Sequence, residues 1–268
     1  MNPFVPSQSV LNIAHRGGAG ERPESTLEAF RHALSVGADV LELDVHLSRD
    51  GRLVVSHDPD LRRIAGEGRL ISEMTLPDIR TTDAGALWSP DGTTTPYAGK
   101  GLTLPTLAEL FEALPEAQFN VDIKVEDPRA TEEVARLIRD FDRVDHTVVA
   151  SFISKQLRRL RRTAPEIVTS AHPGDVRRFL LFSRLGLPRL VGGKVPYLQV
   201  PEHHGSLQLV TPATVEAAHR SGREVHVWTV NERNDMIRLI ALGVDGIVTD
   251  YPSRLSSLLR EGEKGTNP

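Results

Sequence analysis

The sequence predicts an α/β fold in which parallel strands close into a (β/α)8 barrel, and three observations carry that prediction. Short apolar runs alternate with amphipathic stretches about eight times along the chain, the pattern of βα units on a parallel sheet. A length of 268 residues suits one barrel of this kind. No internal repeat, low-complexity tract or linker interrupts the alternation, so residues 1–268 read as a single domain. A doubly wound open sheet is the alternative arrangement of the same units.

The elements follow in order. Strands are expected at VLNIA (10–14), VLELDVHL (40–47), QFNVDIK (118–124), HTVVAS (146–151), EIVTSA (166–171), YLQV (197–200), EVHVWTV (224–230) and DGIVTD (245–250). Between them lie the helical patterns STLEAFRHALSVG, ATEEVARLIRDF, SKQLRRLRRTA, TPATVEAAHRSG and NERNDMIRLIALG, several opened by a Ser, Thr or Asn cap and closed by Gly. Residues 60–106 break the rhythm. They are rich in Gly, Pro and Thr and too long for an ordinary connection, which predicts an insertion after the second strand region, over the active face. The stretch RRFLLFSRLGLPRL (177–190) is read as an outer helix with its following loop rather than as a membrane-surface segment.

Composition narrows the function. A net charge of −4 provides no basic field for nucleic acid, so any anionic substrate has to be held by local cations. With no cysteine there is neither a disulfide framework nor thiolate chemistry. The opening MNPFVPSQSV lacks a basic stretch leading into an apolar one, and nowhere do 18 apolar residues run together, so the expectation is a cytoplasmic protein without stable membrane insertion.

The chemistry is written on the strands. In LELDVHL the polar Glu42, Asp44 and His46 alternate with Leu41, Leu43 and Val45, which places the polar groups on one strand face. In a barrel that face is enclosed, where adjacent carboxylates repel and lose water unless a cation compensates. An oxygen-rich divalent-metal site, for Mg²⁺ or Ca²⁺, resolves the conflict. Asn120, Asp122 and Lys124 repeat the pattern on the next strand, with Asp122 a third ligand and Lys124 a partner for phosphate oxygens. His15 ends the first strand and His57 ends RLVVSHDP, both expected at the C-terminal rim, where a pair of imidazoles suits proton transfer in phosphoester displacement. Arg16 offers a fork of donors to the phosphate. The remaining histidines, among them His46 and His226, read as structural. Asp245 and Asp250 read as turn and cap residues outside the catalytic set.

These residues carry a resemblance. The blocks AHRGGAGERPESTLEAF, LELDVHLSRDGRLVVSHDP, LTLPTLAELFEAL and VHVWTVNERNDMIRLIALGVDGIVTDYP are similar, in the same order and over nearly the whole chain, to those of the glycerophosphodiester phosphodiesterase family. The resemblance implies a TIM barrel with a small insertion, divalent-metal dependence, and hydrolysis of glycerophosphodiesters to an alcohol and glycerol 3-phosphate. It also implies a cyclic phosphate route through the glycerol hydroxyl. By it His15 and His57 are the acid/base pair, Arg16 and Lys124 contact phosphate, Glu42 and Asp44 bind metal, and Trp228 packs against glycerol. The chain departs from the family at two places. Ser25 stands where Asn is usual, and is expected to cap the following helix; Asp122 stands where Glu is more common. A phospholipase D-type enzyme acting on lysolipids or sphingomyelin, and a non-catalytic phosphodiester-binding barrel, are the alternatives.

Overall fold

A computed structural model describes residues 3–187 and 195–265. Eight parallel strands form the barrel wall: β1 (Leu11–Ala14), β2 (Val40–Leu47), β3 (Gln118–Ile123), β4 (Thr147–Ala150), β5 (Val168–Thr169), β6 (Tyr197–Pro201), β7 (Glu224–Trp228) and β8 (Gly246–Thr249). Each expected strand is present; 40–47 is reproduced in full, 197–200 runs on to Pro201, and the others are shorter by one or two residues at one or both ends. Neighbours in sequence are neighbours in space, and β8 returns to β1 with Ala14 opposite Thr249. Closure is thinnest between β5 and β6, where the parallel bridge Ser170 to Tyr197 and the Ala171 N–H donating to the Tyr197 carbonyl at 2.9 Å join the two edges.

The helices are α1 (Leu27–Ser35), α2 (Leu107–Ala113), α3 (Pro128–Asp140), α4 (Ser154–Thr163), α5 (Pro173–Arg184), α6 (Pro212–Arg220), α7 (Arg233–Leu242) and α8 (Pro252–Gly265), one after each barrel strand. Capping explains several boundaries. The Thr106 side chain accepts from Glu109 N at 3.2 Å and Glu109 accepts back from Thr106 N at 2.9 Å, a capping box that starts α2. Gly243, at φ +87, ends α7 in the left-handed region. One cap differs from expectation. Thr26, not Ser25, caps α1 by accepting from Ala29 N at 3.2 Å. Ser25 instead sits at φ +59, a conformation that Asn tolerates better than Ser, which is a physical reason for Asn to be usual there.

The period of two on β2 becomes two environments. Leu41, Leu43 and Val45 face the helices and pack with Phe30, Leu110 and Phe111, while Glu42 and Asp44 face the lumen. The lower lumen is filled by Leu11, Ile13, Val40, Val148, Tyr197 and Val248. Phe4 plugs it from below, its ring 5.1 Å from that of Tyr197, with His226 buried against the same Tyr at 5.0 Å. The bottom being packed, solvent reaches the polar groups only from the C-terminal rim.

Beyond β2 the chain does not enter a helix directly. It turns back as Leu53–Val55, antiparallel to β2 with Val45 opposite Val55. Residues 60–105 then form two short strands, Asp60–Leu61 and Glu67–Leu70, and short helices at Arg62–Ala65 and Leu76–Arg80. Leu61, Ile71, Met74, Ile79 and Leu104 close a small core of their own over Val54. The Trp88 indole N–H donates to the Ala19 carbonyl at 2.9 Å, fixing this segment against the loop that carries His15 and Arg16. His57 therefore follows a return strand, antiparallel to β2, rather than a barrel strand. The return brings it down to the rim, with Ser56 N–H donating to the Asp44 carbonyl at 3.0 Å. Of the stretch 177–190, residues up to 187 lie in α5 and its turn; 188–190 fall outside the described residues.

Candidate active site

One cavity of about 650 Å³ opens at the rim, and His15, Arg16, Glu42, Asp44, His57, Asp122, Lys124 and Trp228 all line it. His15 and Arg16 stand at the end of β1, where the chain makes a turn with Arg16 at φ +52. That turn aims the Arg16 N–H at Glu42 Oε2, 2.9 Å away. Adding a Cβ at Gly17 would bring it within 3.0 Å of Ala29 and Phe30, so the neighbouring position has to be Gly for the loop to lie this close to α1.

Each histidine is held by a carboxylate. His15 Nδ1 lies 2.7 Å from Asp250 Oδ1, and Asp250 is itself fixed by the Asn231 amide, which donates to Oδ2 at 2.7 Å and accepts from Asp250 N at 2.9 Å. Burial works to lower the pKa of His15, but the Asp250 hydrogen bond and the Glu42 charge outweigh it and hold the imidazole above its ordinary value. On the other side His57 Nδ1 is 2.8 Å from Asp58 Oδ1. Asp58 Oδ2 receives Arg63 Nε at 2.6 Å, and Arg63 forks onto Glu24 at 2.5 and 2.7 Å. Glu24 also receives Arg16 Nη1 at 3.2 Å, so one chain of charges links His57 to Arg16 across the mouth.

Asp250 was read as a turn or cap residue outside the catalytic set; the structure sets it against His15. In a closed barrel the last strand lies beside the first, so a carboxylate at the end of β8 meets the histidine at the end of β1. Asp250→Asn is expected to lower the His15 pKa, moving the limb of the pH–rate profile that reports His15 to lower pH; titration of that limb in both proteins is the check.

The carboxylates are close and strained. Asp44 and Asp122 are direct register partners on β2 and β3. Burial first, and the Asp44 charge second, push Glu42 up to about 7. Burial also raises Asp122, with Lys124 opposing and Asp44 adding to the rise. Lys124 Nζ lies 2.8 Å from Asp44 Oδ1 and 2.7 Å from Asp122 Oδ2; burial would lower its pKa, yet these two partners hold it above the usual lysine range.

The expected metal set of Glu42, Asp44 and Asp122 is thus brought together but not assembled as a chelating group. Among the described residues no cluster of three or more His, Cys, Asp or Glu side chains is poised to hold a metal ion. The physical reason is Lys124, expected on phosphate, whose ammonium spans two of the three carboxylates. The donor chemistry nonetheless fits a hard cation. Asp44 Oδ2 and Asp122 Oδ1 are buried without a hydrogen-bond partner, and Glu42 is destabilised as an anion.

Trp228, at the end of β7, lines the cavity opposite this cluster with its ring edge-to-face on Phe152, centroids 5.8 Å apart. His46 Nε2 lies 3.1 Å from the His57 carbonyl.

A model of the glycerophosphoryl diester phosphodiesterase family matches residues 15–254. The chain belongs to that family. It is 31% identical over 262 residues to a glycerophosphodiester phosphodiesterase of Caldanaerobacter subterraneus subsp. tengcongensis, covering 94% of this chain and 98% of the relative. It is equally 31% identical to the mouse (Mus musculus) lysophospholipase D GDPD1, over 92% of this chain and 85% of the relative. The crystal structure of a glycerophosphodiester phosphodiesterase from Agrobacterium tumefaciens superposes with a TM-score of 0.75 at 26% identity, covering 92% and 99% of the two chains. The family membership and the barrel agree with the resemblance carried by the sequence blocks.

Proposed function

We propose that this protein hydrolyses glycerophosphodiesters to an alcohol and glycerol 3-phosphate. The observation that carries the reading is the facing pair His15 and His57 in one cavity, each anchored through Nδ1 by a carboxylate, with Arg16 and Lys124 beside them. Anchoring at Nδ1 leaves both Nε2 atoms as the proton-exchanging positions. One imidazole accepts a proton from the oxygen attacking phosphorus; the other donates a proton to the departing alcohol. Arg16, drawn forward by Glu24, meets the phosphate oxygens, and Trp228 gives the glycerol carbons an apolar surface.

Glu42, Asp44 and Asp122 are the residues that would hold a divalent cation, Mg²⁺ or Ca²⁺. When bound, it supplies charge stabilisation to the phosphoryl oxygens. For these carboxylates to receive it, Lys124 has to leave Asp44 and Asp122, which frees its ammonium for the phosphate.

The test is turnover of water-soluble glycerophosphodiesters with and without a chelator. Release of glycerol 3-phosphate that falls at least ~10²-fold on chelation and returns with Mg²⁺ or Ca²⁺ is expected. Absence of turnover in every metal condition overturns the reading. Turnover indifferent to chelation keeps the hydrolase and removes the cation.

A further inference from the structure

Two arginines share one carboxylate at the cavity mouth. Arg63 Nη1 donates to Glu24 Oε2 at 2.5 Å, while Oε1 accepts both Arg63 Nη2 at 2.7 Å and Arg16 Nη1 at 3.2 Å. Arg63 thus holds the forked place on Glu24, and Arg16 has a single, longer bond. The remaining Arg63 donor, Nε, lies 2.6 Å from Asp58 Oδ2, and the other oxygen of Asp58 is the one beside His57 Nδ1. Ion pairs of a half-exposed arginine are usually weak, but Glu24 is only 12% exposed, and a bidentate fork within a network is the exception. Burial works to raise the pKa of Glu24; the Arg63 hydrogen bonds, ahead of the Arg16 charge, hold it below its ordinary value. Arg63 stands on the short helix Arg62–Ala65 of the insertion. Leu61, Ile71 and Met74 hold that segment together, whereas among the described residues the Arg63 side chain bonds only to Asp58 and Glu24, both outside it.

We propose that Arg63 is a positioning residue for the reaction: by occupying Glu24 and Asp58 together, it leaves Arg16 free to fork onto the phosphate and keeps the His57 ring aimed at it. The inference rests on the hydrolase reading above and extends it to the insertion. The argument is one of competition. Without Arg63, Glu24 keeps a charge in a largely enclosed place, and Arg16 is the cation left beside it. The Arg16 fork then closes on Glu24, and because its Nε already lies 3.7 Å from Asp44 Oδ2, the guanidinium is drawn between carboxylates instead of facing the cavity. At the same time Asp58 loses the bond that fixes its carboxylate, and with it the direction of the His57 ring. Only a planar, forked cation spans two carboxylates in this way, which is a reason for Arg at this position.

The experiment measures kcat and KM for glycerophosphocholine in the wild type, in Arg63→Met (Arg63→Gln should the Met variant not fold), and in the same variant combined with Glu24→Gln. Arg62→Met, at an exposed neighbour on the same turn, controls for the fold of the insertion. The Arg63 variant is expected to raise KM and lower kcat, with kcat/KM down by about tenfold or more, as for the loss of a charge-assisted hydrogen bond. Arg62→Met should keep the wild-type values. Adding Glu24→Gln removes the charge that captures Arg16, so the double variant should regain KM while kcat stays low, because Asp58 is still unfixed. A residue that merely braces the insertion gives no such recovery. An Arg63 variant with wild-type kcat/KM overturns the proposal. So does a loss shared equally by Arg62→Met, or a raised KM that Glu24→Gln fails to restore. Should no glycerophosphodiester be hydrolysed, the hydrolase reading fails and the positioning of Arg16 is decided by thermal unfolding with inorganic phosphate. A Tm rise in the wild type that is lost in the Arg63 variant and regained in the double variant upholds it; equal rises in the three proteins, or none, overturn it.

Discussion

Alanine at His15 or at His57 is expected to lower turnover of a glycerophosphodiester by at least ~10²-fold while leaving the fold intact. The two losses should differ in how pH modulates them. His15 has its pKa raised by Asp250 and Glu42, so it keeps its proton to higher pH than an isolated imidazole. Its ion pair with Asp250 contributes stability that is fully present below the unfolded pKa of about 6.5 and is lost as pH rises through the higher folded value. His15→Ala should therefore remove more stability at pH 5 than at pH 9, whereas the activity loss persists across the range. The measurements are kcat/KM and urea unfolding at both pH values. Full activity in either alanine variant removes that histidine from the chemistry. A double variant no worse than the singles shows that the two act as one unit, as expected for an acid and a base in the same displacement.

The barrel was legible because its signal is repeated: eight strand patterns and their helices had to find one closed arrangement, and the alternation on β2 and β3 already sorted Glu42, Asp44 and Asp122 to the lumen. Contacts made by closure were less accessible. Asp250 lies 235 residues from His15 in the chain and is its neighbour only because β8 returns to β1. The end of the eighth strand, TDYP, was itself a signal once a closed barrel was assumed. The charge chain Asp58–Arg63–Glu24 left no such trace, since it joins two loops and a single helical turn whose side-chain directions no long period governs. The return strand that carries His57 was not legible, because an apolar run of three residues, Leu53–Val55, reads the same whether its strand runs with or against β2. The pairing of Lys124 with both Asp44 and Asp122 was less legible for a related reason. Period fixes the face of a side chain but not which of several partners on that face it chooses.

Glu42→Gln is the second substitution of large expected effect, and activity and stability should move in opposite directions. Glu42 is buried, and its folded pKa of about 7 lies above the ordinary carboxylate value. A raised carboxylate reverses the usual sign: from the unfolded pKa near 4.5 up to about 7 the folded chain binds the proton more tightly, so stability falls as pH rises through that window and stays low above it. Glutamine keeps an oxygen to accept the Arg16 N–H but carries no charge for Asp44 to repel. At pH 8, in chelator, the variant should be more stable than the wild type by a few kcal/mol at most, roughly 2–4 °C in Tm for each kcal/mol. Turnover should fall at least ~10²-fold if, as proposed, Glu42 is a ligand of the cation and half of the charge pair that recruits it. The same two proteins titrated with Mg²⁺ or Ca²⁺ give a readout independent of activity. The wild-type Tm rises as the cation relieves the repulsion between Glu42 and Asp44, and the variant Tm stays flat. A variant that loses stability in chelator, or one whose Tm still climbs with the cation, contradicts the assignment of Glu42 as an uncompensated anion waiting for a metal.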